Sequence, residues 1–333
     1  MRMSPKVEEW MVPVPERNLR ALICGSVAYD TILIFPDRFK EHILPEKLHL
    51  LNVAFLVPEM RREYGGCAAN IAYGLALLGD QGIPMATAGH DFGPYAERLH
   101  GLGIDLAHVT VVPEAFTAQA YITTDLDDNQ ITAFHPGAMQ YAHLNEVRSA
   151  GAVALGVVAP DGRQAMIEHA AQFAAAGIPF LFDPGQGLPM FGRQELEVFL
   201  AQARWVAVND YEWGLMQQKT GWTEADVLER VEALIVTRGG DGSTIHTRGG
   251  RHEIPCAAAR TIVDPTGCGD AYRAGLIHGL LHGLPWETAG RVASLMGAVK
   301  IESRGPQNHR FTRAQFAQRY VETFGQPAPG SLL

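Results

Sequence analysis

The segment Asp264-Pro265-Thr266-Gly267-Cys268-Gly269-Asp270 concentrates more chemistry than any other in the chain. It follows a strand-like stretch, Thr261–Val263, and opens an apolar helix. Gly267 and Gly269 allow the backbone to approach a ligand closely. The amides of Gly267, Cys268 and Gly269 would then point out of a helix N-terminus, where the helix dipole favours an anion. Asp270 sits one turn in, a carboxylate beside an anion hole. Phosphoryl transfer to a hydroxyl needs that pairing: one group accepts the proton, and the others stabilise charge on the transferring group. The same residues also fit a plain Gly-rich turn with Asp270 as an ordinary first-turn helix acid.

Three weaker clusters accompany it. Asn209-Asp210-Tyr211-Glu212 follows an expected strand, Trp205–Val208, and the carboxyl ends of parallel strands are where doubly wound folds bind ligands. Asn209 and Glu212 can hold magnesium there through water, because magnesium keeps much of its hydration shell. Asn209 or Asp210 can equally be a helix N-cap. Val236-Thr237-Arg238-Gly239-Gly240-Asp241-Gly242 is a strand entering a Gly-rich loop. Thr237, Gly239 and Gly242 could lie against a triphosphate, or simply form a tight hairpin turn into Ser243–His246. In Tyr64-Gly65-Gly66-Cys67-Ala68-Ala69-Asn70 glycines again open a helix. Its small residues could admit a substrate whose hydroxyls bond Asn70, or could only pack a helix start.

Other chemistries are excluded. The chain has no Gly-Lys dipeptide and hence no Walker A loop, and the Gly-x-Gly pairs starting at Gly101, Gly185, Gly240 and Gly267 lack the third Rossmann glycine. Neither a G-x-S-x-G elbow nor an H-E-x-x-H helix occurs. His278 and His282 share a helix face without an evident third ligand and read as ordinary helix residues.

The elements that must position these groups alternate along the chain. Strands are expected at Ala21–Gly25, Pro84–Gly89, Ala152–Val158, Pro179–Phe182, Trp205–Val208 and Leu234–Thr237. Helices are expected at Cys67–Leu78, Asp91–Leu102 with Asp91 as N-cap, Gln164–Ala176, Gln194–Ala203, Tyr211–Lys219, Cys268–His282 and Trp286–Glu302. This alternation predicts an α/β fold with a mostly parallel, doubly wound sheet. Two β-rich stretches, Thr31–Glu63 and Val109–Phe134, interrupt it and predict a separate small sheet. Asp127-Asp128-Asn129 reads there as a hairpin turn between Ala120–Thr124 and Gln130–Phe134.

The 333 residues exceed the usual size of a single core, which implies one large domain with an appendage or two domains. With 47% hydrophobic and 19% charged residues the chain is globular. A net charge of −9 without a Lys/Arg-rich run argues against nucleic acid or an anionic membrane as partner. Cys24, Cys67, Cys256 and Cys268 make no C-x-x-C pair and fit reduced thiols in a cytoplasm. Residues 1–20 lack a signal-peptide core, and no apolar run is long enough to span a bilayer.

With the four motifs in this order, the chain resembles the ribokinase-like (PfkB) carbohydrate kinases over nearly its whole length. Gly65-Gly66 and Asp264–Asp270 match the family's two signatures, and Asn209 with Glu212 matches its N-x-x-E magnesium motif. The resemblance implies a kinase domain over residues 18–325, with a core of 18–30, 62–109 and 140–325 and a discontinuous β lid of 31–61 and 110–139. It implies ATP and magnesium, Asp270 as catalytic base, and Gly267, Cys268 and Gly269 as the anion hole. Potassium activates many relatives. The carbonyls that hold it would here lie around Asp264, Thr266, Ser303 and Gly305.

A finer resemblance is to bacterial adenosine kinases of the actinobacterial type. It rests on Phe35-Pro36-Asp37-Arg38-Phe39, Leu44-Pro45-Glu46, Phe55-Leu56-Val57, Pro136-Gly137-Ala138-Met139, Asn209–Trp213, Lys219-Thr220-Gly221-Trp222 and Asp270–Gly275. It implies that Asp30 holds ribose hydroxyls beside Gly66 and Asn70, that Ser26 and Phe134 line the nucleoside pocket, and that Gln186 lies near the base. Two positions depart from that group. Ala120, next to Tyr121, replaces an aromatic that stacks on adenine, and Gly187 replaces a second glutamine. The implied activity is phosphorylation of adenosine to AMP, with a sugar kinase acting on ribose, fructose or a related sugar as the alternative. A ligand-binding regulator on a kinase scaffold is the non-enzymatic alternative. Leu33, Phe35, Phe55, Leu56 and Val57 are many apolar residues for a small sheet, and together with the resemblance they imply a homodimer formed through the lids.

Overall fold

The computed structural model describes residues 19–43, 52–127 and 129–333. Leu44-Pro45-Glu46 and Asp128, invoked above, lie outside the described residues.

The strands are β1 (Arg20–Cys24), β2 (Ala28–Ile34), β3 (Glu59–Gly65), β4 (Gln81–Gly89), β5 (Val109–Val112), β6 (Ala118–Thr124), β7 (Gln130–His135), β8 (Leu155–Val158), β9 (Phe180–Phe182), β10 (Trp205–Asn209), β11 (Ala233–Thr237), β12 (Ser243–Thr247) and β13 (Gly250–Ile254). The helices are α1 (Phe39–His42), α2 (Cys67–Leu78), α3 (Gly93–Gly101), α4 (Arg163–Ala175), α5 (Arg193–Gln202), α6 (Asp210–Thr220), α7 (Glu224–Leu228), α8 (Cys268–Leu281), α9 (Trp286–Ile301) and α10 (Arg313–Phe324). Among the described residues the strands form a large sheet, ordered β13-β12-β11-β10-β9-β8-β1-β4-β5, and a small one, β3-β2-β6-β7.

The large sheet is parallel from β11 to β5 and ends in the antiparallel β11–β12–β13 meander. Its strands are apolar on both faces because helices cover both, as parallel sheets require. Successive residues of β1 show this. Ala21 and Ile23 join the core beneath α2, α8 and α9, whereas Leu22 and Cys24 join the one beneath α4, α5 and α6. Strand order reverses between β1 and β8, which opens a crevice at their carboxyl ends.

Several expectations are corrected. β5, expected in the small sheet, pairs in parallel with β4 as the edge of the large one. Its four residues alternate too weakly to mark their sheet, and pairing decides. Asp91 does not cap α3. The cap position is Phe92, and the Asp91 carboxylate accepts the Thr117 amide at 2.7 Å instead. Thr261–Val263 is not a strand, since the Val263 and Asp264 amides both turn to the Ile301 carbonyl. Phe35 is buried, stacks on Phe39 and packs at a tilt against Phe55, so part of the apolar surplus of the small sheet is satisfied within the chain.

Candidate active site

The crevice between β1 and β8 widens into a cleft of about 930 Å³ roofed by the small sheet. Ser26, Asp30, Gly66, Asn70, Phe134, Gln186, Asn209, Glu212, Thr237, Thr266, Gly267, Gly269 and Asp270 all line it. One concavity thus gathers residues from both ends of the sequence. Gly65, Cys268, Gly239, Gly242, Asp264, Ser303 and Gly305 stay outside its wall. A more open groove of about 1020 Å³, before the starts of β9, β10 and β11, holds none of the candidate residues.

Asp270 lies in the first turn of α8, and its Oδ2 accepts the Asn70 amide at 2.8 Å. Burial pushes its carboxyl up to about 6, with Asp183 adding to the shift and the Asn70 bond and Arg273 opposing it. The Asn70 orientation is dictated from a distance. Tyr95 donates its hydroxyl to the Gly65 carbonyl, so its oxygen can only accept from Gln307 Nε2. Gln307 Nε2 also donates to Asn70 Oδ1 at 2.9 Å. Asn70 must therefore present its NH2 to Asp270, which leaves the other carboxylate oxygen for a substrate.

Gly267 starts α8 with φ +79°, and no side chain caps the helix. A Cβ at Gly267 would stand 2.6 Å from Pro306 Cβ, so glycine is required on steric as well as dihedral grounds. Cys268 corrects the sequence reading: its amide donates to the Pro265 carbonyl at 3.1 Å. Gly267 and Gly269 are the members of the expected anion hole that face the cleft.

Opposite Asp270, Gly66 takes φ +92°, where a Cβ would come within 2.7 Å of Ser26 O, Ala28 N and Val27 Cα. This close crossing brings β2 and the start of α2 together. Gly65, behind it, leaves room for the Asp30 carboxylate, which a Cβ there would meet at 2.6 Å. Burial, with Asp264 and Glu63 nearby, pushes Asp30 up to about 6. The roof is lined by Ala28 and Asp30 of β2, Ala120 and Ile122 of β6, and Thr132 and Phe134 of β7. Strand period 2 puts Tyr121 on the other face, so it does not replace the missing aromatic at Ala120. Gln186 and Gly187 close the far end beside Met190.

On the β10–β11 side, Asn209 caps α6 and forms a reciprocal box with Glu212: Asn209 Oδ1 accepts the Glu212 amide at 2.7 Å, and Glu212 Oε2 accepts the Asn209 amide at 2.8 Å. The capping alternative is therefore realised, yet both side chains still line the cleft. Burial and the Asp183 carboxylate raise the Glu212 pKa. Gly239 and Gly242 form the turn between β11 and the antiparallel β12, so the hairpin alternative holds there, and only Thr237 reaches the cleft.

Sequence reasoning gave no role to three buried charged residues of the cleft. Arg273 and Asp183 pair at 3.0 Å beneath Asp270. Arg273 lies in a segment quoted for the family likeness, but nothing local marks the two as partners. Asp161 follows β8 at the switch point, a position that could have signalled it. Its Oδ1 accepts the Gly162 amide, its Oδ2 has no partner, and burial pushes it up to about 8.

Two of the four residues expected around a monovalent cation, Asp264 and Ser303, give their carbonyls to a lysine. Burial pushes the Asp264 carboxyl up, but the amides of Gly305 and Thr266 and the Lys300 ammonium outweigh this and hold it below its usual range. Lys300 Nζ donates to the carbonyls of Asp264 at 2.7 Å and Ser303 at 3.1 Å. Away from the cleft, Asp80 is the third partner that His278 and His282 lacked in the sequence. Its two oxygens lie 2.6 Å from His278 Nδ1 and 2.8 Å from His282 Nε2, and these bonds account for the cluster.

The chain matches the pfkB family carbohydrate kinases over residues 26–312. It is 33% identical to a nucleoside kinase of Methanocaldococcus jannaschii over 276 residues, 82% of this chain and 91% of that protein. It is similar to the Burkholderia thailandensis nucleoside kinase in complex with inosine, with TM-score 0.86 and 51% identity over 93% of this chain and 100% of the other. For the complex of that protein with ADP-inosine the TM-score is 0.83 and the identity 53%, over 94% and 98%. The likeness thus reaches nucleoside kinases in general and not adenosine kinases of the actinobacterial type in particular. The extent of these matches, on a ribokinase-like α/β fold, places the chain in the pfkB family of carbohydrate kinases.

Proposed function

We propose that this chain transfers the γ-phosphoryl group of ATP to the 5′-hydroxyl of a nucleoside, with adenosine as the first candidate and AMP as product. The observation that carries the reading is Asp270, an acceptor whose second oxygen is left free by the Asn70 bond, beside the uncapped start of α8. In this reading Asp270 takes the hydroxyl proton, and the amides of Gly267 and Gly269 stabilise charge on the transferring phosphoryl. Asp30 and Asn70 orient the ribose hydroxyls, while Ser26, Phe134 and Gln186 border the nucleoside. The triphosphate runs toward Thr237 and Asn209.

Magnesium fits the Asn209–Glu212 pair through its own waters. Both Glu212 oxygens already accept bonds within the cap, which direct coordination would break, but each keeps a lone pair for a water. When bound, the ion neutralises charge on the phosphates. The small sheet serves as the lid. Leu56 and Met60, 83% and 67% exposed, are the apolar side chains we assign to a lid-to-lid homodimer.

The test is a screen of purified protein with ATP and magnesium against adenosine, inosine, other nucleosides, ribose and fructose, with ADP release and product mass as readouts. The reading expects nucleoside 5′-monophosphates. Turnover confined to free sugars would replace it with a sugar kinase. No turnover with any acceptor, alongside tight ligand binding, would replace it with a binding protein.

A further inference from the structure

Two of the four residues that the family likeness places around a monovalent cation, Asp264 and Ser303, do not fit that role in this chain, because their carbonyls already bind an ammonium. Lys300, one residue before the end of α9, has no exposed surface. Its Nζ donates to the Asp264 carbonyl at 2.7 Å and to the Ser303 carbonyl at 3.1 Å. Those carbonyls belong to two segments that the Asp264 carboxylate also joins, accepting the amides of Thr266 at 2.9 Å and Gly305 at 2.8 Å. One ammonium and one carboxylate therefore clamp 264–266 against 303–305. Thr266 leads directly into Gly267, and Pro306 backs Gly267 from the second segment. A buried ammonium needs acceptors for its donors and an opposing charge; the two carbonyls take two of its three donors, and the nearby Asp264 carboxylate supplies the charge.

We propose that Lys300 is a tethered cation that holds the anion-hole loop in register and frees phosphoryl transfer from any need for potassium. The proposal rests on the kinase reading above. Lys300 touches no reacting atom, so it is a positioning residue. A tethered charge is localised by folding itself, whereas a free ion must be captured from solution and leaves a concentration dependence.

The test has a kinetic and a thermal arm. Wild-type initial rates are measured in potassium, sodium and tetramethylammonium chloride at matched ionic strength, and equal rates are expected. Lys300→Met removes the charge at similar length. Its kcat should fall on the order of 10- to 100-fold, the cost of a slightly misplaced site, with nucleoside KM little changed and partial recovery in potassium or methylammonium. In the thermal arm, potassium should raise the Tm of Lys300→Met above its value in tetramethylammonium, and should leave the wild-type Tm unchanged.

Potassium activation of the wild type, or full turnover of Lys300→Met in tetramethylammonium, would overturn the proposal. Should Lys300→Met not fold, the wild-type cation series decides alone. Should no acceptor be phosphorylated, the kinase reading fails, while the wild-type Tm comparison still judges the Lys300 cage.

Discussion

Replacing Asp270 by Asn removes a proton acceptor while leaving volume nearly unchanged. In the wild type, Oδ2 accepts from Asn70 Nδ2 at 2.8 Å and Oδ1 is left for the acceptor hydroxyl. An amide at 270 must turn its oxygen to Asn70, because the NH2 of Asn70 cannot accept. Its own NH2 then faces the hydroxyl as a donor, with no lone pair for the proton. Lost general-base catalysis costs roughly 10²- to 10⁴-fold. The lower bound corresponds to about 2.7 kcal/mol of barrier. We expect kcat to fall by at least about 100-fold, with nucleoside and nucleotide affinities by calorimetry near those of the wild type. The wild-type pH profile carries a second signature. Asp270 acts only when ionised, and burial holds its carboxyl at about 6. The rate constant kcat/KM should therefore fall as pH drops below that value and level off above it, and the variant's residual activity should lose the share of this limb that Asp270 carries, leaving that of Asp30. Turnover close to the wild type would refute the assignment, whereas an acid limb that survives at strongly reduced turnover would report Asp30, whose carboxyl burial also pushes up to about 6.

Glu212→Gln should shift the magnesium titration of the rate to higher concentration, while stability falls by no more than the ~0.5–2 kcal/mol of a helix cap; an unchanged titration would leave Glu212 a capping residue alone. Arg273→Met strands the buried Asp183 carboxylate, and urea unfolding should show a loss of about 3–5 kcal/mol. A loss near the ~0–1 kcal/mol of surface pairs would mean that the pair is not isolated from solvent. Gln307→Glu replaces the donor to Asn70 by an acceptor, so Asn70 turns its carbonyl toward Asp270 and the acid limb moves above pH 6; an unmoved limb would refute the hydrogen-bond relay. Charges at Leu56 and Met60 should split the proposed dimer in light scattering, and a monomeric wild type with full activity would remove the dimer from the picture.

The fold was legible wherever a run of side chains repeats with one period. α2 ends where its apolar pattern ends, at the Gly79 cap, and strands β8 to β11 follow their short apolar runs to within a few residues. β5 was misplaced because four residues, VTVV, suit either sheet, and only the pairing with Ala86–Gly89 of β4 decides. α10 was missed although Thr312 and Gln315 form a capping box at its start. Its apolar residues Phe316, Ala317, Tyr320, Val321 and Phe324 also recur at helical spacing, so both its start and its stripe were there to be read.

The site divides along a similar line. A glycine-rich turn is a local device, so Gly66 and Gly267 announce the crossing and the anion hole from sequence. Partnership is not local. Asn70 meets Asp270 across 200 positions and Gln307 across 237, and Lys300 closes on a carbonyl 36 residues away. A lysine in an amphipathic helix next to Val299 and Ile301 looks like a solvated charge, since most lysines are exposed. What makes Lys300 different is the environment that α9 delivers it to, two carbonyls and a carboxylate beneath the loop. That environment is set by how α8 and α9 pack, and so the side chain most decisive for the cation chemistry is one whose neighbours in sequence give no hint of it.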